Sequence, residues 1–316
     1  MNFQLDQNIF AEINRIMEAT KLSAEMCQMI QNSLNADSST GELFKWAYLT
    51  TMSCECTGGK PETALPGAIA MEFFALAADI FDDIQDQDHD DLPWRKISEA
   101  KAISLANCLL MLSDEAISEI QDDRIYREIS KTIHHAGVIA SDGQFREFLY
   151  ADCDHISLEQ CFEIVKRKSG SLTSCACKIG AILGGASDSI KELLAEFGQN
   201  FGIMNQIRND LNDFLDFQKK HDFTNNIKTL PYVYLLHTAK EVGQFHLLKK
   251  EKGYRSQQLL DNEKELLKRT SAEEGVSQYC AVMFEIYRHV AGEILERLPV
   301  PEKQKEKMKK LVGEIY

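Results

Sequence analysis

The chain has 316 residues and 44% hydrophobic content, enough for one large or two ordinary domains with a substantial core. Its formal net charge of −14, with no lysine- and arginine-rich stripe to offset it, argues against a nucleic-acid partner. The nine cysteines are an odd number without zinc-ligand spacing, and they predict scattered buried thiols in a reducing cytoplasm.

The start of the chain shows no basic segment followed by an apolar one, so we expect no signal peptide. No run of residues approaches the roughly eighteen apolar residues of a membrane span. The sequence therefore predicts a soluble cytoplasmic protein without a transmembrane segment.

The spacing of prolines and apolar residues predicts long helices and almost no strand. Residues 94–230 contain no proline, and alternations of valine and threonine are few. Ser157 stands at an N-cap position and indicates the start of one helix. Since neither a linker-like change in composition nor a short repeat is seen, we expect one all-helical domain over residues 1–316. Helices are predicted over residues 67–86, 98–120, 159–183, 189–217, 274–297 and 301–315.

Two acidic patches repeat the same offsets of 0, +1 and +4, each at the end of an apolar helical run. Like charges at i and i+4 share a helix face and repel by about 0.2–0.5 kcal/mol per pair. A functional role, such as cation binding, would explain why this unfavourable pattern occurs twice. Mg²⁺ supplies one, because carboxylates and substrate phosphates hold it. A solvated acidic loop is the alternative, and it is weaker for two matched patches than for one. The predicted metal ligands are Asp82, Asp83 and Asp86 in the first patch and Asn209, Asp210 and Asp213 in the second, which is expected to bind more weakly because asparagine is neutral.

The segment Glu72–Asp86 resembles the first aspartate-rich motif of the trans-isoprenyl diphosphate synthases, and Phe201–Phe214 resembles their second. The resemblance runs in order from about Gly58 to Pro231. It implies an all-α isoprenoid synthase fold, a helical bundle around a central apolar cavity. It also implies that Mg²⁺ ions, three of them with the diphosphate, bridge both motifs to an allylic prenyl diphosphate. Shorter matches are Gly143-Gln144 to the family's G-Q, Lys168-Ser169-Gly170 to its K-T-G segment, and Lys220-x-Asp222 and Lys228-Thr229-Leu230-Pro231 to its lysine-bearing loop.

The implied reaction starts with cleavage of the C–O bond of the allylic diphosphate. Metal ions and lysines neutralise the departing pyrophosphate, and an apolar pocket keeps water from the carbocation. The resemblance makes Asp82, Asp83, Asp86 and Lys168 the candidate catalytic residues. Alone, each lysine would be an ordinary surface residue, and Gln206 could be a hydrogen-bonded core residue. The candidate substrate-binding residues are Lys60, Arg95, Gln144, Lys168, Gln206, Lys220 and Lys228.

The second substrate of a chain-elongating synthase is isopentenyl diphosphate, and its cationic contacts are depleted in this chain. Thr63 stands where the family has arginine, and Ala75 stands where it has histidine. Trp94-Arg95-Lys96 replaces Arg-Arg-Gly at a displaced position, although Lys60 is kept. A lost charge-assisted contact is typically worth about 1.5–3 kcal/mol, so binding of isopentenyl diphosphate should be weakened. The residues expected to bind the allylic diphosphate are preserved.

The chain resembles the ComQ-type isoprenyltransferases in three respects. These are the loss of acceptor contacts with the donor residues kept, the tryptophan after the first motif, and the C-terminal segments 275–279 and 283–287. Those enzymes modify a tryptophan of a competence (quorum-sensing) pheromone precursor. The resemblance predicts transfer of a geranyl or farnesyl group to such a peptide, and family relatives usually form homodimers.

Three alternatives stay open. A farnesyl or geranylgeranyl diphosphate synthase would use isopentenyl diphosphate, and its chain-length pocket would be lined by Phe73, Phe74, Ala77 and Ala78. A terpene cyclase is disfavoured because Asp213 and Phe217 replace residues of the cyclase motif. A silent subunit of a heteromeric synthase is disfavoured because both motifs are largely intact.

Overall fold

The computed structural model describes residues 3–36, 44–87, 89–153, 155–215, 227–239 and 261–313, and within these ranges it contains helices and no strand. The all-α class is therefore confirmed. The α-helices are α1 (Phe3–Ala19), α2 (Ala24–Ala36), α3 (Lys45–Cys56), α4 (Pro61–Asp86), α5 (Glu99–Ser118), α6 (Asp123–Ala151), α7 (Leu158–Val165), α8 (Ser171–Leu183), α9 (Asp188–Leu215), α10 (Leu230–Thr238), α11 (Asp261–Glu273), α12 (Val276–Arg297) and α13 (Glu302–Gly313). A short 3₁₀ helix covers Pro93–Lys96, and a π-helix covers Lys166–Gly170.

The helix boundaries follow local chemistry. Pro61 occupies the first turn of α4, where the missing N–H of proline costs nothing, so the helix begins six residues before the predicted position. Ser157 caps α7 as predicted: its Oγ accepts from Gln160 N at 3.1 Å, and Gln160 Oε1 accepts from Ser157 N at 2.8 Å. The predicted helix 159–183 is interrupted by the π-helix. Helices α1, α2, α3, α6, α10 and α11 were not predicted.

The chain divides into two compact units. The first unit comprises Met1–Ala136, Thr173–Gly198 and Gly292–Tyr316. The second unit comprises Gly137–Leu172 and Gln199–Ala291. The expectation of a single domain stays a prediction.

Helix α4 is the central helix of the first unit's core. Ser113 Oγ of α5 donates to Ala70 O of α4 at 2.8 Å, and the buried Glu72 carboxylate accepts from Ala47 N at 2.9 Å. Glu72 thereby satisfies an unpaired N–H at the start of α3, whose N-cap residue makes no side-chain cap bond. Although no membrane-length run was expected, α4 is long and apolar enough to span a bilayer, but 72% of that stretch is buried inside the protein. This is the pattern of a core helix.

The second unit has its own apolar core, built from α7, the second half of α9, α10 and α12. Ile164, Ile207 and Val233 are almost fully buried in it. Tyr234 and Tyr279 stack at its edge with ring centroids 4.0 Å apart and planes inclined by 10°. This core fixes the part of α9 that carries the second acidic patch.

Candidate active site

The first acidic patch lies in the last turns of α4. One carboxylate oxygen of Asp82 lies within 4.8 Å of one of Asp86, and both residues are partly buried. The C-terminal end of a helix carries about −0.5 elementary charge. Two carboxylates at this end add further negative charge, which a bound cation would stabilise. The pair fits the oxygen-ligand preference of Mg²⁺.

Asp83 faces a different environment from its two neighbours. It is 7% exposed, and its Oδ2 accepts a hydrogen bond from Trp94 Nε1 at 2.8 Å. Its Oδ1 lies 2.6 Å from His89 Nδ1. Both oxygens of Asp83 therefore contact the loop that follows α4, while its predicted catalytic and metal-binding role stays a prediction.

A glycine turn presents Lys60 at the start of α4. Gly58 has a φ of +90°, which side-chain-bearing residues rarely adopt, and a Cβ on Gly59 would lie 2.4 Å from Cys54 Sγ. The turn leaves Lys60 and Thr63 exposed. Ala75, at the histidine position of the family, is fully buried.

The predicted chain-length residues lie along α4. Phe73 and Ala77 are fully buried, Phe74 is 8% exposed, and Ala78 is partly buried. Their role in product length stays a prediction. Arg95, in the 3₁₀ helix, pairs with Asp90 at 3.2 Å, and its Nε is buried without a hydrogen-bond partner among the described residues.

Lys168 of the second unit lies in the π-helix, which packs closely against α6. A Cβ on Gly143 would lie 2.8 Å from Arg167 Cβ and 3.1 Å from Lys168 Cγ, so only glycine leaves room for this approach. Lys168 Nζ donates to Glu147 Oε2 at 2.5 Å. Single-turn π-helices occur frequently at functional sites.

Glu147 is the site residue that the sequence analysis missed. Its carboxylate is 10% exposed and is paired with Lys168. The available signal was its position three residues after Gln144, one helical turn from Gly143 on the same face of α6. The Gln144 amide also lies here, and its Nε2 is buried with no hydrogen-bond partner among the residues described.

The second acidic patch is held by a chain of hydrogen bonds. Ser169 Oγ donates to Gln206 Oε1 at 2.5 Å, and Gln206 Nε2 donates to Asp210 Oδ1 at 2.6 Å. Leu230 N approaches Asp210 Oδ2 at 3.5 Å, the outer limit for a hydrogen bond. Asp210 is 5% exposed, whereas Asn209 is exposed and Asp213 is partly buried. Gln206 thus connects the K-S-G segment to the second patch.

Two further residues near this patch are buried. Lys228 is 2% exposed, with Nζ 5.3 Å from the centroid of the Tyr232 ring. Cys161 Sγ donates to Lys228 O at 3.3 Å, and burial, together with the nearby Asp210, raises the pKa of the Cys161 thiol. This thiol is therefore protonated and unsuited to nucleophilic catalysis. Lys220 lies outside the described residues.

Comparison with known proteins identifies the class. The family profile described as polyprenyl synthetase matches residues 17–267, and the chain belongs to this family. Solved structures share the fold: a geranylgeranyl pyrophosphate synthase superimposes with a TM-score of 0.82 at 21% identity, covering 99% of each chain. The chain is accordingly an enzyme, a prenyltransferase.

The curated relatives include a tryptophan prenyltransferase and a farnesyl diphosphate synthase. The tryptophan prenyltransferase ComQ of Bacillus subtilis (strain 168) is 26% identical over 302 residues, covering 94% of this chain and 95% of ComQ. A farnesyl diphosphate synthase of Geobacillus stearothermophilus is 27% identical over 261 residues, covering 76% of this chain and 86% of its own length.

Proposed function

We propose that this prenyltransferase moves a geranyl or farnesyl group from its diphosphate to a tryptophan of a pheromone precursor peptide. One observation carries the proposal: the residues for the allylic donor are present, while Thr63 and the buried Ala75 replace cationic acceptor contacts. An indole is uncharged and does not need those cations. The similarity to ComQ over nearly the whole chain supports the same acceptor.

The candidate residues for the allylic donor are Asp82 and Asp86 in the first unit, and Lys168, Asn209, Asp210 and Asp213 in the second unit. Asp82 and Asp86, and more weakly Asp210 and Asp213 with the amide of Asn209, would hold magnesium, and Lys168 would bind the diphosphate. Glu147 adds a further carboxylate beside Lys168. Bound magnesium would supply positive charge to the departing pyrophosphate. The C–O bond breaks with its electron pair going to pyrophosphate, the indole ring supplies the pair for the new C–C bond, and a ring proton leaves.

The assay compares acceptors for a single donor. Purified protein is incubated with Mg²⁺ and farnesyl or geranyl diphosphate, together with either a tryptophan-containing precursor peptide or isopentenyl diphosphate. We expect pyrophosphate release and a peptide heavier by one prenyl group. Brisk elongation to longer diphosphates, without peptide modification, would overturn the proposal.

The second candidate is a trans-prenyl diphosphate synthase, favoured by the retained Lys60 and by the similarity to farnesyl diphosphate synthases. The small side chains of Ala77 and Ala78 would allow a product longer than farnesyl. The variant Thr63→Arg separates the readings, because this exposed position in the first turn of α4 can accept arginine. Thr63→Arg restores one of the two replaced cations, so in a prenyl diphosphate synthase it should raise isopentenyl-dependent elongation, whereas the matched Thr63→Gln should not.

We also propose a homodimer in the cytoplasm. An apolar face of α6 supports self-association, since Val138, Phe145 and Leu149 are 66%, 64% and 53% exposed at helical spacing. All nine cysteines are free, which fits a reducing compartment. Gel filtration with light scattering of wild type and Phe145→Glu tests the dimer, and an unchanged monomeric mass in both would refute it.

A further inference from the structure

The π-helix that carries Lys168 is held on α6 by ion pairs on two sides. On one side, Arg167 Nη1 donates to Asp142 Oδ2 at 2.8 Å. On the other side, Lys168 Nζ donates to Glu147 Oε2 at 2.5 Å. Successive residues of an α-helix are turned by about 100°, which places Gly143 between Asp142 and Glu147 around the axis of α6. The two ion pairs therefore flank the point where the π-helix approaches α6 most closely, since a Cβ on Gly143 would lie 2.8 Å from Arg167 Cβ.

The Arg167 guanidinium joins three elements of the second unit. Its Nε donates to Glu163 Oε1 of α7 at 2.8 Å, and its partner Asp142 Oδ2 also accepts from Arg146 Nε at 2.7 Å. A planar guanidinium presents its donors in a fixed fork, so it can bind two carboxylates at once in a defined direction. The side chains of Arg167, Asp142 and Glu163 are 24%, 41% and 42% exposed. At such exposure a single ion pair adds little stability, so the main contribution of this network is the geometry that it imposes.

The backbone of the π-helix is also held from the following helix. Ser171 Oγ, at the start of α8, donates to Arg167 O at 2.5 Å and to Lys168 O at 3.1 Å. The lysine ammonium itself sits on a flexible four-carbon stem. Its direction therefore depends on how firmly the backbone beneath it is held.

We propose that Arg167 is a positioning residue, which through Asp142 and Glu163 fixes the π-helix on α6 and thereby sets the direction of the Lys168 ammonium. This inference rests on the proposed function, in which Lys168 binds the diphosphate. An ammonium that is already in place binds the diphosphate without a further loss of side-chain entropy. Loss of the Arg167 contacts should let the π-helix shift, and a displacement of about 1 Å can cost as much as about 10²-fold in rate.

The test compares Arg167→Met, Arg167→Lys and Asp142→Ala with wild type in the full-length protein. Arg146→Met is the matched control, because it removes an arginine from the same carboxylate while its bond joins two residues of α6. The first measurement is kcat/KM for farnesyl diphosphate from pyrophosphate release. The second is the rate at which acetic anhydride labels the Lys168 amine without substrate, followed by mass spectrometry relative to the exposed Lys166.

We expect Arg167→Met and Asp142→Ala to lower kcat/KM about tenfold and to raise the labelling rate of Lys168 several-fold. Arg167→Lys should retain part of the activity, since lysine can pair with one of the two carboxylates. Arg146→Met should match wild type in both measurements. The double variant of Arg167→Met and Asp142→Ala should be no worse than either single variant, because both remove the same ion pair.

Unchanged labelling of Lys168 in both Arg167→Met and Asp142→Ala would overturn the inference. Equal effects of Arg146→Met and Arg167→Met would also overturn it, because loss of charge alone would then explain both. If Lys168→Met is impaired, raised labelling with unchanged kcat/KM in Arg167→Met would show that the placement does not serve the reaction. A fully active Lys168→Met protein would instead overturn the role of Lys168 in the proposed function, and the labelling rates would still decide whether Arg167 positions this lysine.

Discussion

The acidic patches of α4 and α9 share one spacing, and in both the middle residue is the buried one. Asp83 is 7% exposed and Asp210 is 5% exposed. Each contacts the chain that follows its helix, Asp83 through Trp94 Nε1 at 2.8 Å and Asp210 through Leu230 N at 3.5 Å. In each patch, one buried aspartate therefore contacts the chain that follows the helix, while the residues on either side of it are less buried.

The outer residues of the two patches differ. In α4 they are two carboxylates, Asp82 and Asp86, with oxygens within 4.8 Å. In α9 they are an exposed amide, Asn209, and one partly buried carboxylate, Asp213. A neutral amide oxygen attracts a divalent cation less than a carboxylate does. The first patch should be the stronger metal site.

The largest expected effect comes from removing one charge from each patch. Asp82→Asn should lower kcat/KM for the allylic diphosphate about 10²–10³-fold, a loss comparable to removing one group that stabilises developing charge. Asp213→Asn should cost less, because its patch already lacks one carboxylate. Steady-state pyrophosphate release measures both. Asp91→Asn, an exposed aspartate of the loop after α4, is the control and should match wild type. Equal losses in Asp82→Asn and Asp213→Asn would show that the patches are equivalent.

A second prediction concerns the ion pair beside the second patch. Lys168→Met leaves the Glu147 carboxylate, 10% exposed, without its cation and should lower the free energy of unfolding by about 1–3 kcal/mol. Adding Glu147→Gln should recover part of this loss. The matched control is Lys178→Met, whose partner Glu192 is 69% exposed, so about 0–1 kcal/mol is expected. Urea unfolding gives all four values. Equal losses for Lys168→Met and Lys178→Met would mean that the Lys168 pair behaves as a surface pair.

The sequence predicted the helices whose apolar residues repeat clearly and missed those whose polar residues hide the repeat. Helix α4 follows from its apolar run and terminal aspartates. Helix α6 was missed because charged residues and Gly143 interrupt its apolar spacing. Its glycine has a tertiary reason, the close approach of the π-helix, which spacing along one helix does not reveal.

The candidate site shows the same limit of sequence-based prediction, because contacts between residues distant in the chain are not visible in the sequence. Asp82 and Asp86 could be paired from sequence because i and i+4 residues share a helix face. Glu147 could not, since its partner Lys168 lies 21 residues further along the chain. The environment of Asp83 also depends on Trp94, which reaches α4 only through the folded loop.

The third prediction tests the close packing of the π-helix on α6. Gly143→Ala adds a Cβ 2.8 Å from Arg167 Cβ and 3.2 Å from Lys168 N, so it should lower the free energy of unfolding by about 1–3 kcal/mol and also reduce activity by displacing Lys168. Gly292→Ala in α12 is the control. Its Cβ would meet nothing within 4 Å, so alanine should be neutral or stabilise by up to about 1 kcal/mol. Thermal unfolding with the activity assay measures both variants, and a fully active, stable Gly143→Ala protein would contradict the packing argument.

The smallest expected effect is at the start of α7, the helix that leads into the π-helix. Ser157→Ala removes the acceptor of Gln160 N and should cost about 1 kcal/mol of stability, while Ser157→Asp should retain most of it. Ser98 is the N-cap residue of α5 but makes no side-chain cap bond, so Ser98→Ala is the matched control and should cost clearly less. Urea unfolding resolves the difference. Helix α7 is followed directly by the segment that carries Lys168. If Ser157→Ala reduces activity under conditions where the variant is still fully folded, the cap also sets the position of that lysine.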